Sequence, residues 1–124
     1  MHAKAAIPVL LFAFPSLAQP AAQPAAQVDV FVSGEDGYDT FRIPAIVRAP
    51  DGDLLAFAEG RGGGRGDAGD IDLVMRCSTD AGRTWGPLQV IWDDGANTCG
   101  NPCPVVDTAT GRIHLLATHN LGHD

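Results

Sequence analysis

The sequence predicts an all-β fold. Three observations carry that expectation. Short segments of alternating or β-branched apolar residues recur along the chain, as in strands with a buried face. Clusters of Gly, Pro and Asp separate them and supply what turns require. Beyond the N-terminal segment, no window of 11 or more residues holds a helical period free of Gly and Pro.

The first 27 residues stand apart from the fold. Residues 1–18 open with a short head carrying Lys4, continue into an apolar run of ten (AAIPVLLFAF), and end on Ser16-Leu17-Ala18. This is the layout of a secretory signal peptide cleaved after Ala18, and it predicts an exported protein, secreted or periplasmic. A run of ten is too short for a membrane span, which needs about 20 apolar residues. No later segment is apolar enough, so no span is expected. Residues 19–27 (QPAAQPAAQ) read as a disordered Pro/Ala/Gln linker. The folded part is 28–124.

Within it, 28–32 (VDVFV) alternates and predicts a first strand. Residues 42–47 (RIPAIV) are apolar and β-branched. After the turn Ala49-Pro50-Asp51-Gly52, 53–58 (DLLAFA) forms the next strand. Residues 71–77 (IDLVMRC) alternate, with Ile71, Leu73, Met75 and Cys77 on one side. A strand over 88–92 follows Gly86-Pro87, a short one covers 104–106, and 112–118 (RIHLLAT) follows the turn at Thr110-Gly111. Short connections make consecutive strands antiparallel meanders. Parity then fixes the ends. If 42–47 runs away from one end and 53–58 returns, the loop 59–69 lies beside Arg42. The next strand runs away again, and 119–124 comes back to the same mouth.

Composition excludes several functions. The net charge is −7 and there is no Lys/Arg cluster, so nucleic acid is not an expected partner. Gly64 to Gly69 (GRGDAG) fits the G-x-G-x-x-G template, but a strand follows it where dinucleotide binding needs a helix N-terminus. Arg65-Gly66-Asp67 is a bare adhesion tripeptide in a loop. Cys99 and Cys103 with His114, His119 and His123 match no compact zinc spacing, so no metal or cofactor is expected. Three cysteines, Cys77 included, leave at least one thiol without a partner inside the chain.

One motif is more specific. Ser78, Asp80, Gly82, Thr84 and Trp85 satisfy S-x-D-x-G-x-T-W in full. Ser and Asp side chains hold turn backbone, and Gly takes a positive φ. This is the Asp-box (BNR repeat), a structural hairpin turn of β-propeller blades. Upstream, Phe41-Arg42-Ile43-Pro44 (FRIP) resembles the arginine motif that opens the sialidase (neuraminidase) catalytic domain. Ala56 to Arg61 (AFAEGR) resembles that family's second strand and second arginine. Asp67, in a glycine-rich loop, matches its acid/base aspartate, and Asn101-Pro102-Cys103-Pro104 its N-P-x-P segment. The resemblance covers 28–124 and suggests an exo-α-sialidase of the bacterial secreted type.

That resemblance implies a six-bladed β-propeller, of which these residues make about one blade and the start of the next, with 28–32 completing another. It implies that Arg42 holds the sialic acid carboxylate and that Arg61 contacts the carboxylate or a neighbouring hydroxyl. It makes Asp67 the general acid and base of a retaining hydrolysis. The Gly62 to Gly66 run would let the loop act as a lid, and burial in the closed site would lift the Asp67 pKa. The partners implied are sialylated glycans. The family's nucleophilic tyrosine lies late in the chain, whereas the sole tyrosine here is Tyr38. A non-catalytic Asp-box propeller used as a binding module, or a glycosidase acting on a different sugar, fits the same motifs.

Overall fold

Six strands follow one another without a helix in the computed structural model, which describes residues 26–123. The signal peptide expected over 1–18, and the expected linker as far as residue 25, lie outside the described residues. The strands are β1 (Thr40–Arg48), β2 (Leu54–Arg61), β3 (Ile71–Ser78), β4 (Gln89–Trp92), β5 (Thr98–Asp107) and β6 (Arg112–Asn120).

β1 to β4 pair in sequence order, each antiparallel to the one before, and make a four-stranded blade. β5 and β6 form a second antiparallel pair. The two units meet through one parallel pair, Ile71 with Thr98. The expected run of meanders is therefore interrupted between β4 and β5. The connection 93–97 stays on the β4 edge of β3 and leads to the start of that strand, where Ile71 N–H donates to the Asn97 carbonyl at 3.2 Å. This is the step from one propeller blade to the next.

The strand expected over 28–32 does not form. Among the described residues the free edge beside it is that of β1, where Pro44 offers no N–H and a register shift breaks the ladder between Arg42 and Ala45. The segment packs on a face instead, with the Phe31 ring 5.3 Å from that of Phe41. The short strand expected over 104–106 is longer: β5 begins at Thr98, passes Pro102 by a bulge between Gly100 and Cys103, and keeps Pro104 in register opposite Leu115. A bulge absorbs a missing donor that would end a regular strand.

Burial is concentrated on β3 and β2. β3 is central, so Ile71, Asp72, Leu73 and Val74 are buried on both faces, together with Ala56, Phe57 and Ala58 of β2 and Cys99 of β5. Each such branched side chain contributes about 1.5–3 kcal/mol by leaving water. Ile46, Val105 and Leu116 stay exposed on the outer faces.

The Asp-box closes the far end of the blade. Ser78 Oγ donates to Asp80 Oδ1 at 2.9 Å and accepts the Gly82 N–H at 2.8 Å. Asp80 accepts from the Thr84 N–H at 2.9 Å and from the Thr84 hydroxyl at 2.7 Å. Gly82 has φ 84°, as the turn requires. These donors, the Thr84 backbone first, lower the Asp80 pKa from 3.8 to about 2. A depressed carboxylate contributes stability that is complete above its unfolded pKa and lost as pH falls through the folded one. The Asp80 contribution is thus full above pH 4 and disappears between about pH 4 and pH 2. Asp80→Asn is expected to lower stability at pH 7 and to flatten the acid limb of a stability-against-pH curve. An acid limb identical to that of the unaltered chain would refute this.

Candidate active site

Arg42, Arg61 and Asp67 come from three places in the sequence and meet at one end of the sheet. Register sets this. Arg42 of β1 lies opposite Glu59 of β2, and Arg61 closes β2 opposite Thr40 and Ile71. The loop 62–70 hangs from that same end. Ser78 pairs with Leu54 at the other end, so the Asp-box stands away from the site, as parity predicts. The chain also returns as predicted: Asn120, the last residue of β6, lines the mouth.

The three residues touch. Asp67 Oδ1 accepts from Arg42 Nη1 at 2.6 Å and from Arg61 Nη1 at 2.8 Å. A cleft of about 300 Å³ opens over them, lined also by Ile43, Glu59, Thr98, Asn101 and Asn120. This suits one small polar ligand held by few directional groups.

The two arginines differ. Arg61 is 3% exposed, and Glu59, two residues earlier on the same strand face, is 2% exposed. Nε and Nη2 of Arg61 both reach Glu59 Oε2, while Nη1 serves the Arg65 carbonyl at 2.9 Å, the Gly66 carbonyl and Asp67. A buried guanidinium needs this degree of pairing. Burial works against the Arg61 charge, but Glu59 and Asp67 outweigh it and raise its pKa. Glu59 spends its other oxygen on the Asn101 N–H at 2.9 Å. That approach requires glycine at position 100, because a Cβ there would collide with Glu59 Oε1. Asn101 itself sits at φ 52°, at the β5 bulge.

Arg42 is looser. It uses a single nitrogen, Nη1, for both the Arg65 carbonyl at 3.3 Å and Asp67. Its side chain is 37% exposed and that of Asp67 is 79% exposed. The Arg61 hydrogen bond and then the Arg42 charge hold Asp67 below the usual carboxylate range. The lift expected from burial in a closed site has no counterpart in this open arrangement, where the carboxylate faces water between two cations.

Tyr38 is turned away from the cleft. Its hydroxyl donates to Asp72 Oδ2 at 2.6 Å, and its ring lies against Gly60, whose missing side chain would point opposite to Glu59 and Arg61. Burial, then the Asp72 bond, raises its pKa. Tyr38 braces the back of β2, away from the residues that line the cleft.

Sequence reasoning singled out Arg42, Arg61 and Asp67 but not Glu59, Asn101 or Asn120. For Glu59 a signal existed: Glu-x-Arg on a strand puts both side chains on one face.

A BNR repeat-like domain family model matches residues 52–123. The chain belongs to the BNR repeat-like domain family. Among curated relatives, the BNR repeat-like chain is 42% identical over 90 residues to a sialidase of Micromonospora viridifaciens. It is 49% identical over 90 residues to an exo-alpha-sialidase of Aspergillus fumigatus. Both matches take in 68% of this chain but only 14% and 22% of those proteins. The Hadza microbial sialidase Hz136 superposes with a TM-score of 0.67 at 30% identity, over 74% of this chain and 20% of that one. The sialidase resemblance carried by FRIP and the Asp-box is thereby borne out, and so is the blade architecture.

Proposed function

We propose that this BNR repeat-like chain forms part of an exo-α-sialidase site that grips a terminal sialic acid by its carboxylate and protonates the departing glycosidic oxygen. The observation that supports it most is the meeting of Arg42, Arg61 and Asp67, from three separate elements, over one cleft. Sialic acid carries its carboxylate on the anomeric carbon, so an arginine and a proton donor must lie side by side there. Arg42, with N–H groups to spare, anchors the carboxylate. Arg61, fixed by Glu59, offers only Nη1 and reaches the carboxylate or an adjoining hydroxyl.

Asp67 gives its proton to the glycosidic oxygen as the bond to the anomeric carbon breaks. It then takes a proton from the water that releases the sugar from the nucleophile, which restores both groups. The resemblance assigns the nucleophile to a tyrosine, a role Tyr38 does not fill. The substrates are sialylated glycoconjugates. The signal over 1–18 sends the protein out of the cytoplasm, to the periplasm or the medium.

The test compares two ligands: 2,3-didehydro-N-acetylneuraminic acid and its methyl ester. Backbone NMR titration of the chain is expected to show saturable shifts around Arg42, Arg61 and Asn120 with the acid. The ester, which lacks the charge, should bind at least about tenfold more weakly, in keeping with the loss of one charge-assisted hydrogen bond. Equal affinity for the two would remove the carboxylate from the recognition scheme.

A further inference from the structure

Asp67 occupies the place a ligand carboxylate needs. It is itself a carboxylate, it lies against the exposed arginine, and both of its arginine contacts fall on one oxygen, Oδ1. We propose that Asp67 is the resident carboxylate of the Arg42–Arg61 pair, and that only an incoming carboxylate displaces it into its working position. This rests on the sialidase reading and adds a specificity device to it: the group that identifies the substrate is also the group that releases the acid.

Three features of the geometry support the exchange. First, the resident contact is a poor grip. Arg42 makes it with Nη1 alone, and that nitrogen is shared with the Arg65 carbonyl. A carboxylate from the cleft can take two parallel N–H groups instead, which is the stronger arrangement. Second, the contact is exposed, with the Asp67 side chain open to water over most of its surface. Such pairs are weakly held, so displacement costs little. Third, the loop that carries Asp67 has few other ties near that residue. Arg61 Nη1 and Arg42 Nη1 hold the Arg65 and Gly66 carbonyls, while a Cβ at Gly63 or Gly64 would meet nothing within 4 Å. Loosening the arginine contacts therefore frees the Asp67 side chain and its stretch of loop together.

The consequence is electrostatic. The charged groups facing Asp67 are Arg42 from β1 and Arg61 from β2, with Glu59 behind Arg61 and Arg65 in its own loop. While Asp67 sits between the arginines, its carboxyl is held in the deprotonated form, which cannot act as an acid. A ligand carboxylate on Arg42 neutralises that cation and brings a like charge close by, and both changes favour protonation of Asp67. A neutral sugar in the same cleft does neither.

The experiment is a binding measurement on the full chain and on Asp67→Ala, with 2,3-didehydro-N-acetylneuraminic acid as the probe and its methyl ester as control. Asp67→Ala is expected to bind the acid about two- to five-fold more tightly, because an exposed competing carboxylate has been removed. The ester should show no gain. In parallel, a carboxyl-carbon NMR titration should place the Asp67 pKa higher in Arg42→Ala than in the unaltered chain, and higher again when the acid probe saturates the unaltered chain. Unchanged or weaker binding of the acid by Asp67→Ala overturns the exchange, as does an Asp67 pKa indifferent to Arg42. Selective binding of the acid combined with either of those results would sink the exchange and leave the sialidase reading standing. Equal binding of acid and ester would sink the reading itself.

Discussion

Glu59→Ala is expected to lower the unfolding free energy of the chain by about 3–5 kcal/mol, the usual cost of removing one partner from a buried ion pair. The pair is almost closed to water, with side-chain exposures of 4% for Arg61 and 3% for Glu59. Truncation leaves the guanidinium facing a cavity and strips the Asn101 N–H of its acceptor. Asp67 cannot take over, because its contact with Arg61 points into solvent. Against a total stability of about 5–15 kcal/mol for a small domain, such a loss threatens the fold. Urea unfolding monitored by tryptophan fluorescence provides the measurement. Removing the stranded charge as well, in Glu59→Ala/Arg61→Leu, should recover a large part of the loss, since an apolar pair needs no compensation. A loss below about 1 kcal/mol for the single substitution would mean that water reaches Arg61, and the buried-pair account would fail.

That pair also shows where sequence reading succeeds and where it stops. Strand existence was legible because β1, β2, β3 and β6 are bounded by turns whose chemistry is local, such as Thr110-Gly111, where the Gly111 N–H closes on the Asp107 carbonyl at 2.8 Å. The Asp-box was legible for the same reason: all its bonds lie within residues 78–84. Parity along the meander was then enough to bring Arg42, Arg61 and Asp67 to one end. The failures are non-local. Residues 28–32 have a strand pattern, but pairing depends on whether an edge is free and regular, and Pro44 with its bulge removes that edge. β5 extends through two prolines because β6 and the bulge accommodate them, which no propensity of the N-P-C-P stretch reveals. Glu59 was passed over as a site residue because its partners are chosen by folding: Arg61 is near in sequence, but Asn101 and the essential glycine at position 100 arrive from another blade.

The protonation state of Asp67 was equally hidden. Its sequence neighbours are glycines and an alanine, and nothing among them moves a carboxyl pKa. The downward shift comes from Arg61, six residues away, and from Arg42, 25 residues away. A site assembled by register can be placed from sequence, whereas its electrostatics need the distances.

Arg42→Ala carries the other large expected effect, on binding and not on folding. A charge-assisted hydrogen bond contributes about 1.5–3 kcal/mol, so affinity for 2,3-didehydro-N-acetylneuraminic acid should fall by roughly 10- to 100-fold. The fold should be nearly indifferent, because Arg42 is partly exposed and its ion pair with Asp67 lies in water. Arg42→Lys sharpens the argument. Lysine keeps the charge but loses the planar fork, so it should recover only part of the affinity if Arg42 grips a carboxylate with two N–H groups, and nearly all of it if Arg42 merely attracts an anion. Binding of the methyl ester should change little in either variant. Three dissociation constants, for the unaltered chain, Arg42→Lys and Arg42→Ala, therefore separate a shaped carboxylate site from a diffuse positive patch. Equal affinities in all three would take Arg42 out of the cleft chemistry and leave its contact with Asp67 as a loop tether alone.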